Sequence, residues 1–292
     1  MLFNSVDFLV FFAFVITISV IIKNKNFSYV FLVAVSYFFF YFSNNFLISL
    51  LVFSTVLDFY IAKAIWSTDD KSKKKKLLLI SIIGNLGLLG FFKYADFGIS
   101  QFNDLFQLIG LNDVPLLEIA LPVGISFYTF QTLGYTIDVY RGQLSPAKSF
   151  KEFALFVAFF PQLVAGPILR ASNFLPQIRE KFSRLNAKNY LQQILIQRTN
   201  LKIGLTLMSF GFFKKIFFAD NIAPFVDEIF LNPIGLDSFA IILGTIGFGI
   251  QLYCDFSGYS DIAIGAALIL GFKVPQNFNF PFFATSPAEF WR

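Results

Sequence analysis

Long apolar runs, each closed by a short polar or glycine- and proline-marked stretch, set the expected elements of this chain. A helix needs ~20 residues to cross ~30 Å of hydrocarbon. Residues 6–22, 27–42, 45–66 and 77–94 fit that length as four consecutive spans, and residues 116–139 as a fifth. Residues 153–168 are apolar but short and broken by Pro161, Gly166 and Pro167, which predicts a re-entrant or tilted piece buried in protein. Residues 201–218 hold Lys214 and Lys215 near their end, which predicts a segment at the membrane interface. Two further spans, 236–253 and 258–272, are expected to flank a polar step at Asp255-Phe256-Ser257. The pattern predicts an all-α, polytopic bundle of about seven to nine membrane segments, with residues 1–292 as a single membrane-embedded domain.

Composition confirms the solvent. Hydrophobic residues make up 56% of the chain and charged residues 14%, mean hydropathy is +0.68, and 44 of the 292 residues are Phe. A soluble domain carries roughly 25% charged residues and cannot hide this much apolar surface from water. The net charge of +5 therefore speaks to topology and argues against a nucleic-acid partner. Lys23, Lys25, Lys71, Lys73, Lys74, Lys75 and Lys76 mark cytoplasmic loops, whereas Asp96, Asp104, Asp113 and Glu118 mark the outer side. The N-terminus is then expected outside. The first run lacks a basic leader and a small-residue cleavage site, so it is read as a retained span. Residues 141–202 collect Arg141, Lys148, Lys151, Arg170, Arg179 and others, and predict a basic cytoplasmic-side region of horizontal helices.

The chemistry is bounded by two counts. There is no histidine, and Cys254 is the single cysteine, so an internal disulfide is excluded and a zinc site has no ordinary ligands. Without imidazole to activate it, Cys254 reads as packed. Asp58 and Asp138 could join a polar track, but each lies near enough to a span end to be solvated, which is the preferred reading. Asp255 and Asp261, six residues apart, do not share a helical face; Asp255 is expected to cap a helix starting near Gly258. Residues 121–131 place Pro122, Gly124 and several hydrogen-bonding side chains in one span, either as helix packing or as the polar wall of a cavity. Residues 159–168 cannot form a continuous helix.

Several ordered motifs carry a resemblance. Leu121-Pro122-Val123-Gly124-Ile125-Ser126-Phe127-Tyr128-Thr129-Phe130-Gln131, Asp138-Val139-Tyr140-Arg141-Gly142, Phe160-Pro161-Gln162-Leu163-Val164-Ala165-Gly166-Pro167-Ile168 and Asp220-Asn221-Ile222-Ala223-Pro224 resemble the membrane-bound O-acyltransferase family, most of all its alginate O-acetyltransferase-like branch. Tyr253-Cys254-Asp255-Phe256-Ser257-Gly258-Tyr259-Ser260-Asp261, Asn277-Phe278-Asn279-Phe280-Pro281-Phe282 and Pro287-Ala288-Glu289-Phe290-Trp291-Arg292 extend it over nearly the whole chain.

The resemblance implies a ring of helices around a central funnel in a bacterial inner membrane. An acyl group, expected to be acetyl, would pass from a cytoplasmic donor such as acetyl-CoA or another activated carrier to hydroxyls of an exported polysaccharide such as alginate. The donor would be a substrate, with no tightly bound cofactor. An extracytoplasmic hydrolase-like acetyltransferase is the implied partner. In the family a Trp-His pair follows the segment matching Glu289 to Arg292, and a second histidine comes later. The catalytic histidine is therefore expected beyond Arg292, the chain is expected to be the amino-terminal part, and no residue within it is assigned as catalytic or as a metal ligand. Its role would be that of a general base with a pKa near neutrality. Matching the run toward that histidine, Asn277, Asn279, Glu289, Trp291 and Arg292 are expected to shape the reaction chamber. Gln251, Asp255, Tyr259 and Asp261 are expected to line or brace it. Two readings compete: a transporter of acyl groups or glycan, which predicts repeat symmetry that the sequence does not show, and a noncatalytic remnant or assembly scaffold.

Overall fold

The computed structural model describes residues 3–22, 24–163, 166–184 and 198–291. The structure is 77% helical, and there is no β-strand among the described residues. Three stretches, Asn26–Trp66, Lys71–Leu108 and Ser238–Ile269, are long and apolar enough to cross a membrane, and the shorter Val6–Ile21 (α1) is apolar as well. Large side chains such as Phe14, Phe53, Ile83 and Leu243 remain exposed along these helices, as expected of surfaces that face lipid. The chain divides into two compact units: Met1–Ser28 with Val164–Leu169 and Glu180–Arg292, and Tyr29–Leu163 with Arg170–Arg179.

In the second of these units the apolar stretch from Asn26 is a hairpin. Helices α2 (Lys25–Asn44) and α3 (Ile48–Trp66) are joined by a 3-10 turn at Asn45–Leu47, where Asn45 has φ 48°. The Tyr37 hydroxyl lies 3.4 Å from Thr55 Oγ1. In one straight helix these residues would stand about 27 Å apart, so the contact requires antiparallel packing. Helix α4 (Lys71–Leu108) is longer than the expected 77–94, because it continues through Asp96 and Asn103.

That extension corrects the expected span at 116–139, whose helical part is only α5 (Ile125–Tyr140). Asp96 accepts the backbone N–H groups of Leu117 (2.7 Å) and Ile119 (3.0 Å), and Asn103 pairs with both the N–H and the carbonyl of Val114 at 2.8 Å. These side chains hold residues 111–122 outside any helix, apolar though they are. Helix α5 starts where Gly124 adopts φ 80°, and a Cβ there would lie 2.6 Å from the Leu163 carbonyl oxygen. Both the dihedral and the space demand glycine.

The broken segment behaves as its prolines and glycine predict. Helix α6 (Phe150–Ala158) stops at Phe159 and a single turn, α7 (Phe160–Leu163), follows; from Glu152 to Leu163 the segment is buried. Ser149 caps α6, its Oγ accepting Glu152 N–H at 3.3 Å, while Glu152 Oε2 accepts Lys148 N–H at 2.8 Å. Arg179, on α8 (Ala171–Arg184), then pairs with Glu152 at 2.5 Å.

In the other unit, α9 (Arg198–Phe212) runs into a π-helical turn (Phe213–Ala219) and α10 (Asp220–Leu231), and all three pack on α11 (Ser238–Ile269). Residues 236–253 and 258–272, expected as two spans, are thus largely one 32-residue helix. Its N-cap is Asp237, accepting from Ala240 N–H at 2.7 Å, while Asp255 lies in its interior and caps nothing. The helix runs through the polar step: Asp255 is met by Lys215 of the π-helical turn, and Ser257 Oγ is buried without a hydrogen-bond partner among the described residues. The seam between α9 and α11 is built on glycine. Gly204 faces Gly265 and Gly211 faces Gly258, so that a Cβ on any of the four would meet the opposing glycine's carbonyl oxygen at 2.5 to 2.8 Å. The seven-residue spacing in both helices brings the backbones together in antiparallel register, the close approach that small residues allow in membranes.

Candidate functional site

The glycine seam places one face of α11 against the π-helical turn, and this is where the candidate residues gather. Gln251, Asp255 and Tyr259 follow at intervals of four along one ridge of α11. Lys215 reaches that ridge: its Nζ lies 2.5 Å from Asp255 Oδ1 and 2.7 Å from Asp220 Oδ1, and 5.4 Å from the centre of the Tyr259 ring. The Tyr259 hydroxyl donates to Asn4 Oδ1 at 3.1 Å. Lys214 points the other way around α11 and pairs with Asp261 Oδ2 at 2.6 Å. Adjacent lysines thus serve two carboxylates on different faces of one helix. The wider π turn lets them straddle it, with Gly258 between as the point of closest approach. One turn along, Asn277 Nδ2 donates to Ser260 Oγ at 2.9 Å.

Five expected residues, Gln251, Asp255, Tyr259, Asp261 and Asn277, therefore lie on α11, with Asp261 on a different face from Asp255, or on the segment laid against it. Gln251 Oε1 is buried there without a hydrogen-bond partner among the described residues. The others stand apart. Asn279 is exposed. Glu289 accepts the backbone N–H and the hydroxyl of Thr285, each at 2.8 Å, and so closes the short helix α12 (Pro287–Phe290). Those bonds, the backbone one first, hold its carboxyl below the usual range. Trp291 is 84% exposed and touches Phe290, and Arg292 lies outside the described residues. Lys214, Lys215, Asp220, Asn4 and Ser260 were not foreseen as site residues. Their signal was present, in two lysines inside an apolar run that need carboxylates if they are to stay there.

A second polar centre overturns the reading of Asp58 as solvated. Asp58 is 0% exposed. Its Oδ1 accepts from the hydroxyls of Ser81 and of Thr136, the latter at 3.0 Å, and its Oδ2 accepts from Asn85 Nδ2 at 2.8 Å. Asn85 also donates to the Ser81 carbonyl, and Thr132 donates to Asn85 Oδ1 at 3.5 Å. Helices α3, α4 and α5 thus meet at one carboxylate. Nearby, Gln131 and Gln162 both donate to the Phe156 carbonyl at 2.8 Å, tying α5 to the broken α6–α7 segment.

Chemically, the lysine face is one of matched charges. Each ammonium is engaged by a carboxylate, so neither lysine is poised as a nucleophile or base, and the arrangement serves to hold α11 in place. Cys254 is buried, as its apolar surroundings predict. No set of three or more His, Cys, Asp or Glu side chains among the described residues is grouped as a metal site requires.

Residues 143–292 match the membrane-bound O-acyltransferase family profile. The chain belongs to that family. The match contains the glycine seam, the π turn and Lys214, Lys215, Asp220, Asp255, Tyr259, Asp261 and Asn277, whereas Asn4 and the Asp58 centre lie outside it. A probable alginate O-acetylase of Pseudomonas aeruginosa is 38% identical over 248 residues, covering 83% of this chain and 45% of that protein. A peptidoglycan O-acetyltransferase of Helicobacter pylori is 36% identical over 294 residues, covering 92% of this chain and 53% of that protein. A teichoic acid D-alanyltransferase of Bacillus subtilis is 26% identical over 173 residues, covering 58% and 40%. The chain spans about half the length of the curated relatives it matches. Family and apolar helices together make it a multi-pass membrane protein.

Proposed function

We propose that the protein of which these residues form part is an O-acyltransferase that moves an acetyl group to hydroxyls of an exported cell-envelope polysaccharide. The observation that carries this reading is the pairing of two acetyl-transferring relatives at 38% and 36% identity over most of the chain, against 26% over 58% for a D-alanyl-transferring one. Alginate and peptidoglycan relatives match about equally well, which supports the polysaccharide class over either polymer. The donor in this reading is a cytoplasmic activated acyl carrier such as acetyl-CoA, the membrane is the bacterial inner membrane, and an extracytoplasmic hydrolase-like acetyltransferase completes delivery.

The lysine face braces the chamber wall. Asp255, Asp261 and Tyr259 fix α11 through Lys214 and Lys215, and Asn277 fixes the following segment, so this chain supplies scaffold to the reaction. Proton transfer falls to the histidine that the family resemblance puts just past the Glu289-Phe290-Trp291 run. The test is to express the complete gene in a host deleted for its own envelope O-acetylation. Base-labile acetate on the exported polysaccharide is then quantified, with and without that histidine changed to Ala. Acetate restored by the wild type and lost in the variant is the expected result. D-alanyl ester in place of acetate, or acetate unaffected by the variant, would overturn the assignment.

A further inference from the structure

The first six residues of α4 contain five lysines, Lys71, Lys73, Lys74, Lys75 and Lys76, and none of them forms an ion pair among the described residues. Two aspartates precede them, Asp69 and Asp70, so three positive charges remain uncompensated. Asp70 is already occupied as the N-cap, accepting from Ser72 N–H at 2.8 Å. The placement is unfavourable for the helix itself. Lysines repel the positive end of the helix dipole, and pairs three and four residues apart, such as 71/75 and 73/76, repel each other. An isolated chain gains nothing from this arrangement, so an anionic surface outside the chain is the natural counterpart.

Geometry says which surface. Successive helical residues turn by about 100°, so five lysines in six positions point to every side of the helix. A partner protein docks on one face, whereas a headgroup layer surrounds a helix that passes through it. The belt also has the right height. Residues 71–76 rise about 7 Å along the axis, close to the roughly 5–7 Å of headgroup region on one side of a bilayer. Immediately beyond it Leu79, Ile80 and Ile83 are all more than half exposed, as lipid-facing residues are. The preceding helix ends at the same place with Trp66, also half exposed, a residue type that favours the interface.

We propose that this lysine belt binds anionic phospholipid headgroups around the end of α4. The test uses the complete protein reconstituted in phosphatidylcholine bilayers containing trace spin-labelled phosphatidylglycerol or spin-labelled phosphatidylcholine, with electron paramagnetic resonance reporting the protein-bound fraction. Wild type is expected to hold phosphatidylglycerol about threefold or more over phosphatidylcholine, with all five lysines changed to Gln removing that preference and all five changed to Arg keeping it. If the Gln variant does not insert, the wild type alone decides: the preference should fall steeply toward about 1 M salt. Free glycerol phosphate should displace labelled lipid no better than chloride at equal ionic strength. No preference in wild type, a preference retained in the Gln variant or at high salt, or displacement by glycerol phosphate would each overturn the proposal.

Discussion

Asp58 and Asp255 both sit inside apolar helices, and the chain satisfies them by opposite means. Around Asp58, which α3 carries, the two helices α4 and α5 contribute neutral donors, two hydroxyls and an amide, each on a short side chain close to its own backbone. Around Asp255, one long side chain arrives from a π-helical turn and brings a full positive charge, shared with Asp220. Exposure separates the cases. The Asp255 side chain keeps 41% of its surface, so its ion pair retains some solvation, whereas Asp58 has none. A lysine paired with Asp58 would bury a second ion and pay its desolvation, while Ser, Thr and Asn satisfy the oxygens with little rotamer entropy to lose. Depth of burial therefore selects between neutral donors and a counter-ion.

The comparison breaks most readily at Asp58. Changing it to Leu leaves the Ser81, Asn85 and Thr136 donors buried without an acceptor and adds bulk where three helices meet. The expected loss is about 3–5 kcal/mol, read as a large drop in the thermal unfolding temperature of the purified protein in detergent. Asp58→Asn should cost less, about 1–2 kcal/mol, because one oxygen remains to accept the hydroxyls while the new amide opposes that of Asn85. If Leu is tolerated as well as Asn, the carboxylate is not what joins α3, α4 and α5.

The lysine face depends instead on the glycine seam that brings it within reach. Gly211→Leu would force side-chain atoms into the Gly258 backbone and is expected to cost about 2–3 kcal/mol while pushing Lys215 away from Asp255. Gly87→Ala makes the control, since nothing lies within 4 Å of a Cβ there and a helical Gly-to-Ala change should stabilise by up to about 1 kcal/mol. Equal effects at the two glycines would show that the seam is not closely packed.

Within the face, Lys215 engages two carboxylates and Lys214 one, which predicts an order. Lys215→Met should lose about 2 kcal/mol and Lys214→Met about 1 kcal/mol, both below the fully buried case because these pairs are partly exposed. Adding Asp255→Leu to Lys215→Met should recover part of the loss, as neutralising both partners removes the orphaned charge. Additive losses in that double variant would deny the coupling.

Much of this was legible before the structure. Hydrophobic runs report the solvent a segment meets, and they located α1, α2, α3 and the broken α6–α7 segment well. They failed where a run's solvent and its backbone conformation part company. Leu116 and Leu117 are apolar yet outside any helix, because Asp96 captures the backbone around them from twenty residues away. Asp255 looked like a cap because its partner Lys215 is forty residues distant and no local pattern reveals the pairing. Asp58 looked solvated for the same reason, since its donors come from Ser81, Asn85 and Thr136. The seven-residue glycine spacing in 204/211 and 258/265 is readable in the sequence, but that the two pairs face each other across α9 and α11 follows only from the fold. The grouping of Asp255, Tyr259, Asp261 and Asn277 followed from motif resemblance; their roles as ion-pair and hydrogen-bond partners followed only from the fold.

Glu289 supplies the last contrast, a carboxylate in open solvent that uses neither buried hydroxyls nor a lysine. It is held by the backbone N–H and then the hydroxyl of Thr285, and both bonds favour the charged form. A carboxyl whose folded value is depressed contributes order above its ordinary range and loses that contribution as pH falls through the lowered folded value. The turn from Thr285 to Phe290 should therefore stay closed at neutral pH and open on acidification, visible as a fall in the protection factor of the Thr285 amide in the complete protein, with exchange referred to the intrinsic rate at each pH. Glu289→Gln retains an acceptor but not the charge, so it should loosen the turn at neutral pH and flatten the pH response, leaving global stability unchanged. If Thr285 protection were unchanged on acidification or in the Gln variant, the charge would have no part in closing the turn. If either lowered the stability of the whole protein, Glu289 would belong with Asp58 and Asp255 among the groups that hold helices together.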